Sequence, residues 1–358
     1  MTNKTRTIAF YLPQFHPIPE NDLWWGKGFT EWTNTAKAKP LYLGHSQPNI
    51  PSDLGFYDLR VADIRIAQAE MARSFGIEGF CYYHYWFAGK RLLERPLNEV
   101  LSSGEPDYPF CLCWANQTWT GIWHGEPNRV LIEQTYPSLD DHKNHFYELL
   151  KAFSDSRYIT VDNKPLFIIY CPTDLPDCLG VTDYWRELAL KSGLNGLFLV
   201  GVSHFQKWDP HQYGLDAVID QRLPFKDKNI PNNYWSLKAQ SMLGKKLPTI
   251  YDYKDIINQL VRIEMPGFES YPCVIPRWDN TPRSGSNGLV FEGVTLELFQ
   301  KQLERALTRI ENLPESRKFV FLKAWNEWAE GNYLEPDLKT GTLFLKKIKE
   351  ILHPFSEN

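Results

Sequence analysis

Apolar residues run along this chain in eight short, nearly continuous stretches separated by longer segments of mixed character. The stretches are Thr7–Leu12, Gly79–Phe87, Phe110–Gln117, Pro165–Tyr170, Leu197–Val202, Asp216–Ile219, Cys273–Trp278 and the run that opens at Phe319. Continuous rather than alternating apolarity marks strands covered on both faces, as in a parallel sheet. The intervening segments carry the spacing of amphipathic helices. In Asp58–Phe75, Leu59, Ala62, Ile66, Ala69 and Met71 share one stripe, while Arg60, Asp63, Arg65 and Glu70 lie largely off it. Further helices are predicted at Leu92–Leu101, Leu139–Phe153, Tyr184–Lys191, Tyr253–Ile263, Glu292–Ile310 and Leu343–Leu352, with only a short helical segment after the fifth strand. Eight strands alternating with helices predict an α/β fold: one (β/α)8 TIM barrel with long loops at its C-terminal face, residues 1–358 forming a single domain. No GxGxxG follows the first strand, which disfavours a doubly wound dinucleotide-binding sheet.

Two segments exceed a plain connection. One runs from the first strand to about Tyr57 and contains Trp24-Trp25-Gly26-Lys27-Gly28-Phe29-Thr30-Glu31-Trp32. A loop that long inside a compact unit is usually functional, so Trp24, Trp25 and Trp32 are expected over the top of the barrel. The other, Pro224–Pro248, reads as loop and insertion.

In such a barrel the chemistry collects at the C-terminal strand ends. Those ends carry Tyr11 and His16, then His84, Tyr85 and Trp86, then Trp114, Asn116 and Gln117, then Tyr170, His204, Asp220 and Arg222. The seventh offers Arg277, Trp278, Asp279 and Asn280, and the eighth Trp325, Asn326, Glu327 and Glu330. Glu327 and Glu330 stand three residues apart where the last strand stops, among rings suited to stacking on a sugar. Paired carboxylates in that setting are what glycosidic bond chemistry uses, one to donate a proton and one to stabilise or activate. Each candidate also has a plain structural reading. The glutamates could be solvated loop acids, His84 a core histidine, Trp278 packing, Asp279 and Asn280 turn formers, and Arg277 and Arg283 partners of surface acids.

Composition narrows the partners. A net charge of -4 gives no basic field for nucleic acid. The 13 Trp suit a surface that binds something flat and hydroxylated. Cys81, Cys111 and Cys171 lie inside apolar runs, and Cys111-Leu112-Cys113 has the wrong spacing for a zinc knuckle. No H-x-H or H-E-x-x-H spacing is present, so no metal or other cofactor is expected. The chain shows neither a signal-peptide pattern at its start nor an apolar run long enough to span a bilayer, so the expectation is a cytoplasmic protein without membrane insertion.

The motifs carry a resemblance. Phe10-Tyr11-Leu12-Pro13-Gln14-Phe15-His16, the Trp24–Trp32 loop, Phe80-Cys81-Tyr82-Tyr83-His84-Tyr85-Trp86, Trp114-Ala115-Asn116 and Trp325-Asn326-Glu327-Trp328-Ala329-Glu330-Gly331 resemble the WbsX-type proteins of bacterial polysaccharide clusters, over nearly the whole chain. That group is similar in turn to glycoside hydrolase family 99, the endo-acting α-mannosidases and mannanases, chiefly in the last motif. The resemblance implies a (β/α)8 barrel and a retaining, endo-acting hydrolase of a bacterial polysaccharide or oligosaccharide. It implies Glu327 as the base on the sugar's own 2-hydroxyl, giving a 1,2-anhydro intermediate, and Glu330 as acid and then base. Tyr11, His84, Tyr85, Trp86, Trp114, Asn116, Trp278, Asn280, Trp325 and Asn326 are expected to line the substrate cleft. Ala329 stands where the mannosidases commonly carry His, so roles transfer better than substrate identity. A glycosyltransferase of polysaccharide biosynthesis and a non-catalytic carbohydrate-binding protein are the alternatives. The WbsX group is often labelled with the first, although no D-x-D triplet is present; retention of both glutamates argues against the second.

Overall fold

The computed structural model describes residues 5–121, 126–204, 208–223 and 246–352. Eight parallel strands close into a barrel: β1 (Arg6–Tyr11), β2 (Gly79–Phe87), β3 (Phe110–Trp114), β4 (Lys164–Ile169), β5 (Phe198–Ser203), β6 (Ala217–Asp220), β7 (Ser270–Val274) and β8 (Phe319–Leu322). Each pairs with its neighbours in sequence, and β1 closes the ring by pairing with both β2 and β8, Ala9 standing opposite Phe80 on one side and Leu322 on the other. The strands are buried along almost their whole length, which is why they read as continuous apolar runs.

Their side chains still alternate between two environments. On β2, Tyr83 faces inward, with its ring stacked on Phe10 and its hydroxyl on Lys323. The next residue, His84, faces the helix layer and meets His145. This period of two, invisible in the hydrophobic pattern, decides which residues can reach the barrel mouth.

The helices between strands occupy Ala62–Ser74, Arg95–Ser103, Leu139–Phe153, Cys178–Lys191, Tyr253–Leu260, Leu296–Ile310 and Leu343–Leu352. Leu139–Phe153 has the expected bounds. Ser138 caps it by accepting from the Asp141 N–H, and His142, His145, Phe146, Leu149, Ala152 and Phe153 form its buried stripe. Among the described residues no helix is long and apolar enough to cross a membrane.

Several expected boundaries shift. The helix expected over Asp58–Phe75 begins at Ala62, and Arg65, expected on its polar side, is buried, with its guanidinium on Glu99 and on the Leu59 carbonyl. The seventh strand was expected at Cys273–Trp278 but ends at Val274. Pro276 has no N–H for the ladder, and the Ile275 N–H is taken by the Gln302 side chain. The helix expected from Glu292 begins at Leu296, because Leu289–Glu292 is a strand pairing in parallel with Thr249–Asp252. Most of Pro224–Pro248, and Trp123 of the loop after β3, lie outside the described residues.

The long loop after β1 contains two short helices, Pro19–Trp25 and Glu31–Lys37. Trp32 packs on Trp328 at 5.3 Å, directly between the two glutamates in sequence, and Trp24 packs on Trp119 at 5.9 Å. Both rings therefore lie at the C-terminal end of the barrel.

Candidate active site

β8 ends at Leu322, and the chain then turns sharply inward over Lys323–Trp325, with a cis peptide between Lys323 and Ala324. Asn326 fixes the exit: its carbonyl accepts from the Leu12 N–H at 2.7 Å, and its amide donates to the Leu12 carbonyl at 3.1 Å. Both groups of the side-chain amide thus bond the end of β1, and the amide nitrogen also donates to the Tyr57 hydroxyl at 3.3 Å. Glu327 and Glu330 follow on a tight turn that closes when Asn326–Glu327 pairs with Asn332–Tyr333. Gly331 ends the turn at φ 56°, and a β-carbon there would lie 2.8 Å from the Asp279 backbone N. Asp279 in turn donates its N–H to the Glu330 carbonyl at 2.8 Å, so the loops after β7 and β8 are bonded back to back.

Neither glutamate is a solvated loop acid: their side chains are only 5% and 10% exposed. Burying carboxylates is costly unless they are paired, and the pairing is specific. The Lys323 ammonium lies 3.0 Å from each oxygen of Glu327, 3.1 Å from the Tyr83 hydroxyl and 4.0 Å from Glu330. Arg283 places one N–H on Glu330 at 2.6 Å and two on Glu31, at 2.5 and 3.1 Å. Glu31 also accepts from the Ala329 N–H at 3.2 Å. Arg283, for which pairing with surface acids was the plain structural alternative, thus bridges the site to the helix Glu31–Lys37, which the long loop after β1 supplies.

This environment separates the two carboxyls. For Glu327, burial favours the neutral form, but Lys323, then a hydrogen bond with Glu330, and then Arg283 outweigh it and hold the carboxyl well below the usual range. For Glu330, burial and the neighbouring Glu327 charge dominate, and the carboxyl is pushed well above the usual range despite Arg283. The buried phenols of Tyr83, Tyr85 and Tyr170 are raised chiefly by burial and stay neutral. His204 is lowered to about 4 by burial and by Lys323. A pair so arranged offers one ionised base and one protonated acid at neutral pH, the division of labour that acid–base catalysis requires.

Of the residues expected to line the cleft, Tyr85 feels the Glu327, Arg283 and Glu31 charges, and Trp278 presents its ring 5.8 Å from the Lys323 ammonium. The others stand elsewhere, and the alternation of β-strands explains most of them. Tyr11 is fully buried and donates to Gln68 on the helix Ala62–Ser74. His84 bonds His145 at 2.9 Å; Trp86 stacks on the same imidazole and donates to Asp141; Trp114 packs on His145 and Trp185. All three face the helix layer. Asn116 joins the ends of β3 and β4 by exchanging hydrogen bonds with Cys171. Asn280 accepts from the Leu289 N–H, and Trp325 is buried against Phe80. Asp220 pairs with Arg309, and Arg277 with Asp337. Lys323, Glu31 and Tyr83 escaped the sequence reading. Lys323 stands in the apolar run that opens at Phe319, just ahead of the last motif, and its isolation there was the available signal, since an unpaired buried ammonium is costly. Among the described residues no group of three or more His, Cys, Asp or Glu side chains is placed to hold a metal ion.

Comparison with known proteins agrees with this architecture. The uncharacterized protein WxcX of Xanthomonas campestris pv. campestris strain B100 is 38% identical over 348 residues, 96% of this chain and 49% of that protein, so the chain spans about half the length of the curated relatives it matches. A structure described as a glycoside hydrolase-like protein superposes with a TM-score of 0.61 at 19% identity, covering 97% of this chain and 93% of that one. The GH99 endo-alpha-mannosidase from Bacteroides thetaiotaomicron, in complex with bis-tris-propane, does so at 0.59 and 13% identity, covering 98% and 97%. At these identities the likeness establishes the shared barrel. The family model for glycosyltransferase WbsX matches residues 7–348, nearly the whole barrel from β1 to the last helix, and the chain belongs to the WbsX family.

Proposed function

We propose that this protein is a carbohydrate-active enzyme that cleaves glycosidic bonds in a bacterial polysaccharide or oligosaccharide, with retention and endo action. Glu327 is its base and Glu330 its acid. The observation that carries the reading is the pairing of the two carboxyls with different partners: Glu327 held between both of its oxygens by the Lys323 ammonium, Glu330 left with one arginine N–H and a neighbouring negative charge. In the proposed reaction Glu327 takes the proton of the sugar's 2-hydroxyl, and that oxygen forms a bond to the anomeric carbon. The bond from the anomeric carbon to the leaving oxygen breaks, and Glu330 supplies the proton that oxygen needs. Glu330, now ionised, takes a proton from water as the water opens the anhydro ring, and Glu327 returns its proton to the 2-oxygen. Tyr85 and Trp278 are proposed as the walls against which the sugar ring packs.

A second reading has its own support in the description of the family as glycosyltransferase WbsX. The same steps with a sugar hydroxyl in place of water would transfer rather than hydrolyse. Incubating the purified protein with defined bacterial oligosaccharides, with and without a second sugar as acceptor, tests both. Free reducing ends support hydrolysis, longer products support transfer, and unchanged saccharides across a broad panel would leave the binding role.

A further inference from the structure

Three carboxyls and two cations share the end of the barrel: Glu31, Glu327 and Glu330 against Lys323 and Arg283. Each is buried, where an uncompensated charge is costly, so one acid in excess favours a proton on one of the three carboxyls. The contacts decide which. Glu31 accepts two N–H groups from Arg283 and one from Ala329, and Glu327 accepts the ammonium on both oxygens. Glu330 accepts one N–H from Arg283 and stands a full ångström farther from Lys323 than Glu327 does.

We infer that Lys323 is a positioning residue for the proposed chemistry: its ammonium holds Glu327 as the ionised partner and so leaves the single buried proton on Glu330. This rests on the reading of the two glutamates as base and acid. Lys323 is suited to the task because nothing lets it move away. It is anchored by the Tyr83 hydroxyl from β2, lies by the Trp278 ring from the loop after β7, and springs from the first residue beyond β8. The other titratable groups facing this centre are Tyr83 and Tyr85 from β2, Tyr170 beyond β4, His204 beyond β5 and Cys273 on β7. Burial keeps these phenols, the imidazole and the thiol neutral, so none can replace the ammonium. The guanidinium of Arg283 is already divided between two acids. Without Lys323 the cluster would hold three acids and one cation, and a second proton would settle on Glu327, removing the base.

The test uses the full chain labelled with glutamate carrying carbon-13 at the carboxyl. Signals are assigned by their loss in Glu327→Gln and Glu330→Gln, and titrated by NMR in the wild type and in Lys323→Gln. In the wild type, Glu327 should stay ionised and Glu330 protonated through neutral pH. In Lys323→Gln the Glu327 midpoint should rise by at least about two pH units, a hundredfold change in proton affinity. Lys323→Arg should restore it towards the wild-type position. A Glu327 midpoint unmoved by Lys323→Gln would overturn the inference. If Lys323→Gln does not fold, Lys323→Met combined with Glu330→Gln leaves Glu31 and Glu327 against Arg283 alone, and because Arg283 lies on Glu31 the one excess proton should settle on Glu327. Its midpoint should then stand at least about two pH units above that in Glu330→Gln alone; equal midpoints in the two variants would equally overturn the inference. Because the titration needs no substrate, it can succeed while the assay for bond cleavage fails, and the two ideas are judged separately.

Discussion

At the residue scale the site is defined by inequality between two identical side chains. Glu327→Gln and Glu330→Gln keep shape and hydrogen-bonding capacity but cannot exchange the proton, so each should lower turnover by about 10²–10⁴-fold with little change in binding. A substrate with an activated leaving group should partly rescue Glu330→Gln, which lacks only the acid, and should not rescue Glu327→Gln. Kinetics with paired substrates check this, and the reverse pattern would exchange the two roles. The pH profile follows from the same shifts. Activity requires Glu327 ionised and Glu330 protonated. It should fall on the alkaline side as pH rises through the raised Glu330 value, and on the acid side only below the usual carboxylate range, where Glu327 takes a proton. The two glutamates were legible in the sequence because they break an apolar run at a strand end. The cleft lining was legible only in part. Reading the residues at a strand end as a group ignores that neighbours point to opposite faces. That is why His84, Trp86 and Trp114, singled out for their chemistry, pack against the helix layer while Tyr83 holds Lys323.

At the element scale, loops bonded to one another hold the site. Arg283, from the loop after β7, clamps the helix Glu31–Lys37 to the turn bearing Glu330. Arg283→Met would leave two buried acids without their partner and should cost about 3–5 kcal/mol of unfolding free energy, measured by urea denaturation. Glu31→Gln in the same background should recover part of that loss. Another buried acid, Glu335, receives the Tyr57 hydroxyl, the Gln68 amide and the Trp328 indole N–H. Burial outweighs these donors and raises it to about 7. The folded state therefore keeps a proton that the unfolded chain gives up above its ordinary value. Glu335's contribution to stability is fullest below about pH 4.5 and declines as pH rises to about 7, by roughly 3 kcal/mol in all. Unfolding midpoints across that window should fall in the wild type more than in Glu335→Gln. These loop contacts are long-range in sequence and, unlike the eight buried strands, leave no periodic signal along the chain.

At the scale of the whole molecule, the closed barrel is what brings groups from β2, β7, β8 and the loop after β1 to one rim. The eight-fold alternation of apolar runs with amphipathic segments made that architecture readable, since burial on both faces writes itself into composition. The ends of elements were less readable wherever a single backbone group decided them, as at Pro276. Beyond the β1–β8 ladder, Asn326 ties the β8 exit to the end of β1 through its side-chain amide. Asn326→Ala should therefore destabilise the fold by about 1–3 kcal/mol through two buried backbone groups left unpaired, and should lower activity by displacing Glu327. The most direct measurement of the central claim is the course of the reaction in water enriched in oxygen-18, followed by NMR and mass spectrometry on a saccharide the enzyme cleaves. The account predicts that the first-formed product retains its anomeric configuration, carries the label at its new reducing end, and disappears in Glu327→Gln. A first product of inverted configuration, or cleavage that survives substitution of both glutamates, would contradict it.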